Sequence, residues 1–142
     1  MLKGMSWAEF VCPEGESVAK GMVCATLVKC YQLLWTFNPC KVVCKDQRKQ
    51  DKGQGVYSQV AISTLDGHLI QGEEKFQVQL NAIQGNDQVK GTVTLSLLSF
   101  TRGSGILGSI AMPFIRPLQN YFFNDIVASF RNIMEEERNN SR

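Results

Sequence analysis

One histidine, four prolines and no apolar run near the ~20 residues that cross a bilayer as a helix set the first limits on this 142-residue chain. With His68 alone, no histidine cluster is available to hold a metal, and neither a Ser-His-Asp order, a nucleophile elbow nor a phosphate-cradling glycine loop is visible. Charge of one sign is also scarce. Fifteen Lys plus Arg against thirteen Asp plus Glu leave a net charge of +2, far from the basic excess of a duplex-binding surface. Nucleic acid is therefore not an expected partner, and neither a metal nor a cofactor is expected. Met1 to Glu9 lacks the charged start and apolar core of a signal peptide, which predicts an intracellular chain, cytoplasmic or organellar, that is not secreted and has no transmembrane segment.

The five cysteines are Cys12, Cys24, Cys30, Cys40 and Cys44, an odd number confined to the first third of the chain. A secreted disulfide framework is more often even and spread across a domain, so reduced thiols in a reducing compartment are the expectation. At 44% hydrophobic and 20% charged the composition is that of a globular protein. A chain of this length buries roughly two-thirds of its unfolded surface. One domain over residues 1–142 is predicted, with residues 1–12 as an N-terminal extension and residues 135–142 as a frayed tail.

From Glu16 to Trp35 the apolar positions Val18, Met22, Ala25, Val28, Leu33 and Leu34 recur mostly at helical spacing, behind Pro13-Glu14-Gly15. A helix is expected there, stopping near Asn38-Pro39. A short strand over Cys40–Cys44 and a charged hairpin loop over Lys45–Gly53 follow. Three strand signals come next. Gly55–Leu65 alternates, Asp66-Gly67 closes a hairpin, and a second strand begins at His68, with Phe76, Val78 and Leu80 alternating against Lys75, Gln77 and Gln79. After a turn at Gly85-Asn86-Asp87, Gln88–Phe100 places Val89, Val93, Leu95 and Leu97 inward, which makes an antiparallel meander. Thr101–Gly105 breaks the sheet, and Ile106–Met112 is short and apolar, helix or loop. From Pro113 to about Glu137 the residues Ile115, Leu118, Phe122, Ile126, Phe130 and Ile133 form a helical stripe roughly 35 Å long, with Pro117 in its first turn.

Thr64-Leu65-Asp66-Gly67-His68, three residues, then Gly72-Glu73-Glu74-Lys75-Phe76 resembles the T-L-x-G-H and G-E-E-x-F signature of uncharacterised protein family 0548, a domain of unknown function of bacteria and plants. Ser99-Phe100, Met112-Pro113-Phe114-Ile115-Arg116, Gln119 and Phe122 are similar to that family's entry into its last helix, and Trp35-Thr36-Phe37 resembles its post-helix aromatic segment. Ala61-Ile62-Ser63 departs from the family's usual glycine and tyrosine, and the stretch from Phe37 to Tyr57 is shorter than the family's. The resemblance implies an α+β fold of the helix-grip kind, START-like or Bet v 1-like, in which a curved antiparallel sheet with a reduced number of strands packs on a long C-terminal helix.

If the strand alternates without a bulge, His68, Ile70, Gly72 and Glu74 share the inward face with Phe76, Val78 and Leu80. A bulge at Gly72 would exchange Glu73 for Glu74. His68 and one of these glutamates then orient a polar group or act as an acid/base pair. The structural alternative is that they pair with each other, with Arg102 or with Arg116. The expectation is binding rather than catalysis: a hydrophobic small molecule held by His68, Glu74, Phe76, Val78, Val93, Leu95, Phe122 and Ile126. An interaction subunit with a protein partner, or an enzyme of unknown reaction, are the alternatives.

Overall fold

The computed structural model describes residues 8–13, 17–30, 34–49, 55–84 and 89–140. The described residues form six strands and one helix: β1 (Ala8–Val11), β2 (Val23–Cys30), β3 (Leu34–Lys49), β4 (Gly55–Thr64), β5 (Ile70–Gln84), β6 (Val89–Gly103) and α1 (Gly105–Asn140). The strands pair only with their neighbours in sequence, every pair antiparallel, so the sheet is a meander in the order β1-β2-β3-β4-β5-β6. It curls into a half-barrel against α1, an α+β helix-grip-like arrangement.

The first half of the chain corrects the helix expected over Glu16–Trp35. Val18, Met22, Ala25 and Val28 do fall at helical intervals, but Met22, Cys24, Thr26 and Val28 also fall at intervals of two. The β-branched Val23, Thr26 and Val28 suit the pleated backbone. Pairing decides the outcome, because β2 makes a ladder from Val23↔Lys41 to Cys30↔Leu34 along one edge of β3 and is joined by β1 on the other side. Ala8–Val11 is thereby a sheet strand and not an extension. β3 is also far longer than Cys40–Cys44 and includes Lys45–Lys49, where a loop is expected. Pro39 does not interrupt it, because the Pro39 carbonyl accepts from the Leu65 N–H at 3.0 Å, just past the end of β4. In an antiparallel strand N–H and C=O of one residue face the same side, so the donor that proline lacks falls beyond the β4 ladder. A register shift between Val42 and Cys44 marks a bulge that bends β3.

Under the curl, Met22, Cys24, Cys40, Val42 and Ile62 form the sheet's own core, with Val18, Val60 and Phe76 packed beside it. The hairpin at Asp66-Gly67 is present, with Gly67 at φ 90° and the His68 N–H bonded to the Leu65 carbonyl at 3.2 Å. The expected loop over Gln50–Gly53, the turn at Gly85-Asn86-Asp87 and the acidic start at Glu14-Gly15 lie outside the described residues.

β6 continues through Thr101-Arg102-Gly103, and the chain turns into α1 within two residues by way of Gly105, whose φ of 61° is in the left-handed region. The helix therefore starts eight residues before Pro113 and is about 54 Å long at 1.5 Å per residue. Ile106–Met112 is its beginning, and Pro117 sits about three turns in, not in the first turn. Both prolines are exposed. Ser109 and Pro113, whose carbonyls lose their helical donors, are exposed residues, so water can take the place of those donors. The sheet-facing positions Ile115, Leu118, Phe122, Ile126 and Phe130 are buried or partly buried, whereas Ile133 is 48% exposed. The helix persists over Glu135–Asn140, all exposed, where fraying is expected. Among the described residues no helix is long and apolar enough to cross a membrane.

Candidate functional site

Sheet alternation and the helix stripe meet at a partly open cavity of about 120 Å³. β2 contributes Thr26 and Val28, β3 Thr36, Asn38 and Cys40, β4 Ile62 and Thr64, and the β4–β5 connection His68 and Leu69. Ile70 and Glu74 of β5 complete the sheet side, and α1 closes it with Ile115, Leu118, Gln119 and Phe122. These positions are cross-strand neighbours: Thr26 faces Asn38, Cys40 faces Thr64, and Ile62 faces Glu74, which in turn faces Ser99. A spacing of two along each strand thus becomes one surface.

β5 alternates without a register shift, and Glu74 lines the cavity while Glu73 is exposed. Gly72 allows this continuity. A Cβ there would lie 2.0 Å from the Phe100 carbonyl oxygen, and the Gly72 N–H is bonded to Thr64 Oγ1 at 3.0 Å. Glycine is required for the close approach of β6, not for a bulge.

The polar groups in the wall have specific partners. Ser99 Oγ donates to Glu74 Oε1 at 3.4 Å, and Gln119 also hydrogen-bonds the carboxyl. Burial raises the Glu74 pKa above its ordinary 4.5, and the hydrogen bonds from Ser99 and Gln119 partly oppose that rise. Glu74 is thus paired with neither His68, Arg102 nor Arg116. Arg102 instead donates to Gln71 at 3.4 Å on the exposed side. His68 Nδ1 accepts from the Ile70 N–H at 3.1 Å, so the neutral ring carries its proton on Nε2. Burial lowers its pKa below 6.5, which keeps it neutral near pH 7. Asn38 is 8% exposed, and its Nδ2 faces the carbonyl oxygens of Thr26 and Thr36 at 3.2 and 3.4 Å, and Thr36 Oγ1 at 3.0 Å. Two carbonyls can only accept, which assigns the amide nitrogen to that side and leaves Oδ1 with no donor among the described residues.

Cys40 adds a thiol to this wall, pushed up to about 12 by burial first and by Cys24 and Glu74 after it. Cys24 is raised to about 11, again mainly by burial, so neither thiol supplies a thiolate nucleophile near neutrality. The described thiols Cys12, Cys24, Cys40 and Cys44 are free, and no group of metal-ligating side chains occurs among the described residues.

The residues singled out in the sequence divide between places. His68, Glu74 and Phe122 line the cavity. Val93 and Leu95 line a separate open groove of about 720 Å³ with Val127, Phe130 and Met134, towards the other end of α1. Phe76 packs beside the sheet core, Val78 is partly buried on the same strand, and Ile126 is buried on α1 one turn past Phe122. Asn38, Thr26, Thr36 and Cys40 were not singled out as site residues, because their segment reads as a helix that stops near Asn38-Pro39 and a short strand that begins at Cys40. The period of two in Cys24, Thr26, Val28 and in Thr36, Asn38, Cys40 is the signal that finds them.

A pH dependence follows from Glu74. A carboxyl raised in the folded state contributes stability that is fully present below 4.5 and is lost as pH rises through the higher folded value. The melting temperature of Glu74→Gln minus that of the wild type should therefore grow from about pH 4 to about pH 8, since only the wild type then buries a charge. A difference that stays constant over that range would show that Glu74 is not held in a desolvated place.

The family described as domain of unknown function DUF1990 matches residues 2–129. The chain is 31% identical over 121 residues to the UPF0548 protein At2g17695 of Arabidopsis thaliana, an alignment covering 84% of this chain and 53% of that protein. The chain thus spans about half the length of the curated relative it matches. No solved structure matches it.

Proposed function

We propose, for a chain that belongs to the DUF1990 family of unknown function, that it binds a small amphipathic molecule in the cavity between the sheet and α1. One observation carries this reading. A partly open, mostly apolar wall converges on Asn38, His68 and Glu74, whose hydrogen-bonding capacity the described residues do not fill. Among the described residues no side-chain nitrogen or oxygen is buried without a partner, so this unused capacity faces the accessible space of the cavity, where a ligand can meet it. Drug-sized sites occupy about 300–1,000 Å³, and a cavity of about 150 Å³ admits benzene. At about 120 Å³ the site suits a single ring, or the end of a longer chain that extends outside it.

A second reading also has an observation in its favour. Ile106, Leu107, Ile110, Phe114 and Tyr121 are between 63% and 81% exposed along the outer side of α1. An interaction subunit of a larger assembly would cover such a stripe. Native mass spectrometry of the gently purified chain addresses both. The binding reading expects a monomer that retains a small-molecule adduct, lost in Leu118→Trp, which fills the cavity. Oligomers without any adduct would favour the assembly reading, and a bare monomer that takes up no small apolar probe would end both.

A further inference from the structure

The charges around the cavity limit the ligand more narrowly than its size does. Among the described residues one carboxyl, Glu74, faces it, and no Lys or Arg lines it. An anionic head group would lie beside that carboxyl with no cation among the described lining residues to receive it, which like charges disfavour. The free capacity is mostly that of acceptors. Asn38 Oδ1 has no donor among the described residues, and the Glu74 carboxyl has side-chain donors from Ser99 and Gln119 but no positively charged partner. The Glu74 carboxyl is thus without a counter-charge among the described residues, and a positively charged N–H donor completes it.

We propose that the cavity is selective for a small primary amine on an apolar body, its ammonium directed at Glu74 and its ring or chain against Val28, Ile62, Ile115 and Leu118. This rests on the cavity-binding reading above and names its ligand class. Phe122 adds an aromatic surface, which cations favour over carboxylates. The other titratable groups in the wall do not compete. His68 is held neutral and uncharged by its buried position, and the Cys40 thiol stays protonated. From α1 the cavity meets Ile115, Leu118, Gln119 and Phe122, none of which titrates. Rising pH ionises Glu74 and removes any charge on His68, so both changes strengthen amine binding in the same direction.

Benzylamine, benzyl alcohol and benzoate share one ring and differ in head-group charge. Calorimetric titration of each into the full chain, wild type and Glu74→Gln, separates charge from shape. The amine should bind at least about tenfold more tightly than benzoate and more tightly than the alcohol, and Glu74→Gln should erase its advantage over the alcohol. If that variant fails to fold, the wild type alone decides: amine affinity should rise several-fold from about pH 5 to about pH 8 while alcohol affinity stays flat. Alcohol or benzoate binding as tightly as the amine, or an amine preference that survives in Glu74→Gln, overturns the ligand class and leaves cavity binding standing. Failure of all three to bind overturns both.

Discussion

Gly108→Ala should destabilise the protein by about 2 kcal/mol or more, against the ordinary preference of helices for alanine over glycine by about 1 kcal/mol. Gly108 is buried in the first turn of α1, and a Cβ there would lie 2.3 Å from the Leu69 carbonyl oxygen, with the Gly103 backbone at 3.1 Å on the same side. Neither neighbour is a flexible side-chain tip that can swing away. The Leu69 carbonyl is already committed, since it accepts from the Ser104 N–H at 3.0 Å. Moving the helix to admit a methyl group therefore breaks the bond that joins the β4–β5 turn to the start of α1. Leu69 lines the cavity, so the same displacement should weaken binding of whatever occupies it. Urea denaturation reads the loss, and an unchanged or raised midpoint would mean that the helix seat is not the tight contact described here.

Ile126→Ala should cost about 2–5 kcal/mol. Ile126 is 6% exposed and is the buried side chain among the described residues of α1, the remaining buried position being Gly108. Most of a 36-residue helix is exposed, so its attachment depends on a short inner stripe around the cavity and on this position just beyond it. Removing three carbons there leaves a void that the sheet cannot collapse to fill, because the strand ladders fix its curvature. Ile133→Ala is the matched control. Although part of the same sequence stripe, Ile133 is 48% exposed and should change stability by less than about 0.5 kcal/mol. Equal losses at the two positions would mean that α1 is held along its whole length and not at its first two-thirds.

The second half of the chain was largely legible in the sequence. Alternation in Phe76–Leu80 and Val93–Leu97, the Asp66-Gly67 turn and the stripe from Ile115 to Phe130 all describe local periods that one dominant environment enforces: a sheet with one dry face, and a helix lying on it. The first half was not. Between Val18 and Val28 a period of three to four and a period of two coexist, and no local rule chooses between them. Ile133 shows the opposite failure, a stripe that continues in sequence after the surface it faces has ended.

Sequence alone determined the elements of the C-terminal half, the inward parity of Glu74 over Glu73 once the strand runs unbroken, and the shortage of charge and histidine that limits the chemistry. The tertiary structure decided that residues 23–30 and 34–49 are strands, because antiparallel ladders of eight and nine residue pairs outweigh a helix that would have only its own bonds. It decided that Pro39 is harmless, since its missing donor falls past the end of β4. It also decided which polar groups meet. Asn38, His68 and Glu74 are separated by dozens of residues or by a turn, and only sheet register and the closing helix bring an unfilled amide oxygen, a neutral imidazole and a desolvated carboxyl to one small cavity.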